Sequence, residues 1–355
     1  MRSCYQASGG RASPGWLLSG LVAVLTMANV LLVGVPFGLT SALLTDTPSV
    51  GANAFSTRPD WEVPATALAK VLNGIGYGDY LRQGGTYAVC AQVTDGGNPP
   101  ATPLSATANL AVPNNVMTTG ATSVSLSSGS FTCEGASYNY QSGTQTADAA
   151  IAEGPRTFQV TATDGASNSA TTSWAVTIDN TGPSPLAFAT ANGGATAGKM
   201  ESGDTFTVTM SESTIDLNRI IAGWTGASTA VQVKTFNNNA DFGGNDGLAV
   251  CNGGTGAQCK STGNGSLNIL GLVNLAATTY VTNAVTFNAT LAWNSVTRVF
   301  TVTLGTCTAQ CTKVTTGGSS TATFLPQDGA TLTGGLRDRA GNGASGSATE
   351  GATHF

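Results

Sequence analysis

Apolar and polar residues alternate with a period of two along most of this chain. In Thr86–Thr94 the residues Tyr87, Val89, Ala91 and Val93 fall on one face, and in Thr157–Thr163 Phe158, Val160 and Ala162 do the same. Trp174, Val176 and Ile178 repeat the pattern, as do Phe206, Val208 and Met210, then Val231 and Val233, then Val299–Leu304. Such alternation predicts strands with one buried face. Helical periodicity is scarce, with one or two turns expected over Ile215–Ile221 and another over Thr66–Leu72. The pattern therefore predicts an all-β protein built from tandem sandwiches.

One segment breaks the alternation. Trp16–Thr45 carries no charge, follows Arg2 and Arg11, and ends at Asp46, the first acid of the chain. An uncharged run of this length behind a basic leader enters a bilayer and directs the rest of the chain outward. Small residues precede a cut between Ala42 and Leu43, which would release the chain. The run is also long enough to stay as an N-terminal membrane anchor, so both endings remain open. Leu44, Asp46, Thr47, Ser49, Asn53 and Phe55 fit the F/L-x-D-T-x-S-x-x-N-x-F pattern, and TSALLTDTPSVGANAFST resembles the export signal of camelysin/TasA-type surface proteins. That resemblance implies an exported Gram-positive (actinobacterial-like) surface or matrix protein.

Composition narrows the partners. Charged residues make up 9% of the chain and the net charge is −5. With no Lys/Arg cluster to neutralise phosphates, nucleic acid is not an expected partner. A hydrophobic fraction of 41% argues for packed domains rather than disorder. Of seven cysteines, Cys4 precedes the apolar run, leaving six outside in an oxidising compartment. Spacing favours Cys251–Cys259 and Cys307–Cys311, which leaves Cys90 with Cys133, although six cysteines allow fifteen connectivities. The alternative is a zinc site from Cys251, Cys259, Cys307 and Cys311.

Two turns repeat a D-x-x-x-N core, Asp164–Asn168 and Asp338–Asn342, with Asp95-Gly-Gly-Asn98 as a looser copy. Asp, Asn and Gly at these positions cap a turn with side-chain hydrogen bonds and tolerate left-handed backbone. The stretch VTATDGASNSATTSWAVTIDNTGPSP is similar to the closing hairpin and linker of bacterial Ig-like surface modules. SGDTFTVTMSESTIDLNRIIAGWTG (Ser202–Gly226) resembles the opening strands of another bacterial Ig-like type, which LRDRAGNG (Leu336–Gly343) would close. The implied organisation is a leader over 1–44, an exported linker over 45–75, and one Ig-like domain over 76–181. A linker over 182–185, a second domain over 186–345 with a Gly/Asn-rich insertion at Asn237–Gly265, and a flexible tail over 346–355 complete it.

Catalytic chemistry is poorly supplied. The single histidine, His354, lies in a small-residue tail, so Ser-His-Asp and Cys-His catalysis lack their base. No organic cofactor is expected. Calcium is the cofactor the residues could hold, because Asp95, Asp164 and Asp179 lie near strand ends or the domain junction and offer hard oxygen ligands. Asp241–Asp246 is a further oxygen-rich loop. Trp174, Trp224 and Trp293 alternate with or follow apolar residues and are expected in the core, leaving Trp61 exposed. The expected role is a non-enzymatic structural or adhesive module whose partners are cell-surface or matrix proteins or glycans, and the membrane itself if the leader is retained. The alternative is a secreted carbohydrate-active enzyme or its glycan-binding accessory module, which would show an aromatic platform or two facing carboxylates.

Overall fold

The alternating runs become strands in a computed structural model that describes residues 60–97, 100–113, 115–253, 259–261, 268–317, 320–330, 334–351 and 355. The apolar leader, the Ala42–Leu43 cut and His354 lie outside the described residues. Among the described residues no helix is long and apolar enough to cross a membrane.

Strands β1 (Ala65–Asn73), β2 (Tyr80–Leu81), β3 (Thr86–Thr94), β4 (Ser105–Asn109) and β5 (Val124–Cys133) open the first sandwich. β6 (Ala136–Ser142), β7 (Gln145–Thr146), β8 (Gly154–Thr163) and β9 (Ser169–Ile178) complete it. They form one nine-stranded path, β1-β3-β6-β5-β4-β8-β9-β2, with β7 beside β3. Every pairing is antiparallel except the short parallel one between β2 and β9. The path folds over so that Val71, Val89 and Val93 from one end pack against Phe158, Val160 and Val176 from the other. The predicted inward faces of β3 and β8 are fully buried.

The second sandwich comprises β10 (Pro185–Ala191), β11 (Thr205–Met210), β12 (Thr229–Asn239), β13 (Asn245–Cys251) and β14 (Asn268–Asn274). β15 (Thr286–Asn294), β16 (Val299–Ala309), β17 (Thr323–Pro326) and β18 (Ala348–Thr349) follow. Their order is β10-β11-β16-β15-β12-β13-β14-β17-β18, and β18 returns against β10. Phe188, Phe206, Phe287, Phe300 and Phe324 fill the interior, with Trp293 and Phe300 rings 4.2 Å apart. A separate cluster of Phe236, Phe242, Ala249, Cys251 and Cys259 covers the other side of β13.

Four sequence expectations need correction. Thr66–Leu72 is not a helical turn and 45–75 is not wholly a linker, because Ala65–Asn73 pairs with β3 along its length. Its Ala and Leu residues suit a helix in isolation, but ladder hydrogen bonds and the burial of Val71 override that preference. Asn237–Gly265 is not simply an insertion, since β13 occupies the interior of the sheet and is buried on both faces. A strand covered on both sides needs no alternation, which hid it from periodicity. The tail over 346–355 contains β18, and Phe355 is buried edge-on against Tyr280. The helix expected within Ile215–Ile221 is present as α1 (Leu217–Ile220), capped by the Asp216 side chain on the Arg219 N–H.

All three favoured disulfides form. Cys90–Cys133, Cys251–Cys259 and Cys307–Cys311 have Cα separations of 6.6, 6.0 and 5.7 Å. Their sulfurs are spent on one another, which overturns the zinc alternative.

Candidate functional site

The two D-x-x-x-N turns build the same object twice. In the first sandwich the Asn168 N–H and side-chain amide both donate to the Asp164 carboxylate, at 2.8 Å each. In the second the Asn342 N–H donates to Asp338 at 2.8 Å and its amide at 2.7 Å. Each amide also reaches the segment that enters its own domain: Asn168 donates to the Asp60 carbonyl at 3.1 Å, and Asn342 to the Asp179 carbonyl at 2.8 Å. A third acid follows the next strand of each core, Asp95 after β3 and Glu212 after β11. The result is two carboxylate clusters, Asp60/Asp95/Asp164 and Asp179/Glu212/Asp338, each with one oxygen per residue within 4.8 Å of the others.

Of the three acids singled out in the sequence, Asp95 and Asp164 therefore meet, while Asp179 belongs to the other cluster. This corrects their treatment as one set. Strand β9 separates the clusters, beginning beside Asp164 and ending beside Asp179. Its ten residues span about 30 Å. Asp60 and Glu212 escaped the sequence reading, since neither sits in a turn motif. The repeat of a domain-entry acid before β1 and before β10 was the signal that could have found Asp60. The Asp241–Asp246 loop holds no open site at Asp246, whose carboxylate accepts the N–H groups of Asn238, Tyr280 and Val281.

The second cluster lies at the junction between the sandwiches and borders an open cleft of about 560 Å³ lined by Tyr80, Glu153, Thr177, Asp179, Glu212, Thr214 and Arg298, among others. Burial pushes the Glu212 carboxyl up to about 7, with Asp338 and Asp179 adding to the rise against the Thr214 hydroxyl. Burial likewise pushes Asp338 up to about 6, and raises Asp179.

Beside that cleft the sandwiches are stapled together. Asn73 donates to the Arg339 carbonyl at 2.7 Å, and the Arg339 guanidinium lies 5.5 Å from the Tyr77 ring centroid. The Tyr77 hydroxyl donates to Asp216, whose carboxylate also pairs with Arg337 at 2.7 Å and is almost fully buried. Gly182 in the linker approaches the Gly343 carbonyl so closely that a Cβ there would fall 2.1 Å from its oxygen. Trp61 is 75% exposed, whereas Trp224 and Trp293 are buried and Trp174 is half-buried. No aromatic row forms beside Trp61 among the described residues: the other exposed large apolar side chains are aliphatic.

The chain matches no protein-family model, and no curated protein matches it in sequence. Among solved structures it is similar to dimeric latent PorU from Porphyromonas gingivalis, at 10% identity and a TM-score of 0.20, over 86% of this chain and 21% of that one. It is also similar to the C-terminal domain of the antigen I/II-family protein AspA from Streptococcus pyogenes, at 10% identity and a TM-score of 0.20, over 83% of this chain and 99% of that one. This chain thus spans about a fifth of the PorU chain. Likenesses this distant add nothing to the geometry.

Proposed function

We propose that the protein is an exported, non-enzymatic spacer of the cell surface, holding two β-sandwiches in a fixed relation so that neighbouring surface or matrix components can be positioned. The observation that carries this is the junction. The second sandwich presses its D-x-x-x-N turn onto the β1–β2 turn of the first, through Asn73, Tyr77 and Arg339, and back onto the linker at Asp179. A short linker alone permits independent motion; these contacts remove it. Three disulfides and a surface wetted by hydroxyls and amides rather than charge fit an oxidising exterior. Small-angle scattering of the purified protein tests the reading: one rigid particle is expected, and a distribution of inter-domain distances would refute it. Fractionation of the native cells with a non-reducing gel tests the location. Recovery in the cytoplasm with free thiols would refute export.

One observation favours a second reading. Glu212, raised to about 7, lies within 4.8 Å of Asp179 at the edge of an open cleft, and a proton-donating carboxyl beside a second acid is what glycoside hydrolysis needs. Against it, Tyr80 is the only aromatic among the described residues that line the cleft. Release of reducing sugar from surface polysaccharides, lost in Glu212→Gln, would replace the spacer reading with this one.

A further inference from the structure

We infer that Asp60, Asp95 and Asp164 form a binding site for a divalent cation of the calcium class at the end of the first sandwich where the chain enters. The inference does not depend on the spacer reading. Its starting point is the Asp60 carboxylate, which belongs to a residue only 4% exposed. One of its oxygens accepts the Glu62 N–H at 2.9 Å. The other, Oδ2, is buried and has no hydrogen-bond partner among the described residues.

A buried anionic oxygen without a donor is strongly unfavourable unless a positive charge meets it. Here two further carboxylates each bring an oxygen within 4.8 Å of the Asp60 carboxylate. Asp164, itself 5% exposed, is held in orientation by Asn168, and Asp95 is anchored by the Ala101 N–H at 2.9 Å. Among the described residues no Lys or Arg forms an ion pair with any of the three.

The dimensions suit a cation. Three oxygens within 4.8 Å of one another leave a centre no more than about 2.8 Å from each, within reach of the ~2.3–2.6 Å of calcium–oxygen bonds. Magnesium needs shorter bonds in a near-octahedral shell, which three carboxylates from three separate segments are less suited to supply. Gly97 keeps the space open, because a Cβ there would lie 2.1 Å from Asp60 Oδ2. A cation at this point would tie together the domain entry, the end of β3 and the β8–β9 turn. The equivalent cluster around Asp338 is not included, since none of its carboxylate oxygens is a buried atom without a partner.

Trp61 supplies the readout. It neighbours Asp60 and is exposed, so a terbium ion at the site should show tryptophan-sensitised emission. With the full-length protein, the expected result is terbium emission displaced by calcium at about 0.1–1 mM, the range of extracellular calcium modules. A melting temperature raised by calcium, and not by magnesium or by sodium at equal ionic strength, should accompany it. Asp60→Asn and Asp95→Asn should each weaken binding at least about tenfold while far-UV circular dichroism stays unchanged. Having two variants guards against one that fails to fold. Glu212→Gln should bind as the parent does. Absence of both emission and thermal shift would overturn the site. Binding that survives Asp60→Asn and Asp95→Asn but is lost in Glu212→Gln would overturn it equally, by moving the ion to the junction.

Discussion

The side-chain amide of Asn73, at the end of β1, donates to the backbone carbonyl of Arg339 in the second sandwich at 2.7 Å. The same amide donates to the Tyr80 carbonyl, and the Asn73 side-chain oxygen accepts the N–H groups of Ile75 and Tyr77. One buried asparagine thus shapes the β1–β2 turn and fastens it to the neighbouring domain. Because the turn presents Tyr77 to Asp216, the local fold of the first sandwich dictates how the second one docks.

Replacing Tyr77 with Phe removes the hydroxyl and leaves the ring in place. Asp216 keeps Arg337 and the Arg219 N–H as partners, so no buried charge is orphaned. The expected loss is about 1–2 kcal/mol, the worth of a hydrogen bond to a charged group at a half-buried site. Small-angle scattering should show a broader spread of inter-domain distances while the far-UV spectrum stays unchanged. An unaltered scattering profile would count against this contact as a determinant of the junction.

Arg337→Met should be more damaging than Tyr77→Phe. Asp216 is almost completely buried, and removing its guanidinium partner leaves the charge uncompensated. Breaking such a pair costs about 3–5 kcal/mol, against the much smaller value of an exposed pair. Urea unfolding of the two variants side by side tests the ranking.

Stability should depend on pH through the junction acids when cations are removed with EDTA. Glu212 and Asp338 are pushed up to about 7 and about 6, above the unfolded values near 4. In that interval the folded state keeps protons that the unfolded chain has released. Their contribution is full below about pH 4 and is lost as the pH rises through 6 to 7. Both groups are partly solvated, so the effect is about 1–2 kcal/mol rather than the full shift. Thermal melts at about pH 5.5 and about pH 8 should therefore differ less in Glu212→Gln than in the parent. An equal difference in both would show that Glu212 is not responsible.

The disulfides should contribute unequally. Cys90–Cys133 closes 43 residues and Cys307–Cys311 only 4. Chain-entropy arguments give about 4 kcal/mol for the first and about 2 kcal/mol for the second. Double Cys→Ser variants of each pair, compared by chemical denaturation, should preserve that order. The first bond also sits in a buried cluster with Tyr138, which reinforces the ranking.

Much of the fold could be read from the chain by itself. Wherever a strand has one face in the core and one in water, as with Tyr87, Val89, Ala91 and Val93 or Phe158, Val160 and Ala162, alternation reveals it, because side chains point to opposite faces at successive residues. The Cys251–Cys259 and Cys307–Cys311 pairs and both D-x-x-x-N turns were equally legible, since their geometry is local in sequence, whereas Cys90–Cys133, 43 residues apart, followed only as the remaining pair. Strand β13 was not, being covered on both sides, nor was β1, whose residues prefer a helix until β3 offers a ladder.

The carboxylate clusters belong to the tertiary structure. Asp60, Asp95 and Asp164 are far apart in sequence, and only the pairing of β4, β8 and β9 and the folding-over of the first sandwich bring their oxygens within 4.8 Å. The sequence alone determined an all-β, disulfide-bonded chain with two turns of the same D-x-x-x-N pattern, because period, turn chemistry and short cysteine spacings are local properties. Which acids meet, which are buried, and that one Asp60 oxygen has no donor among the described residues were decided by packing. Burial and convergence depend on every strand between the residues concerned, and no local pattern encodes them.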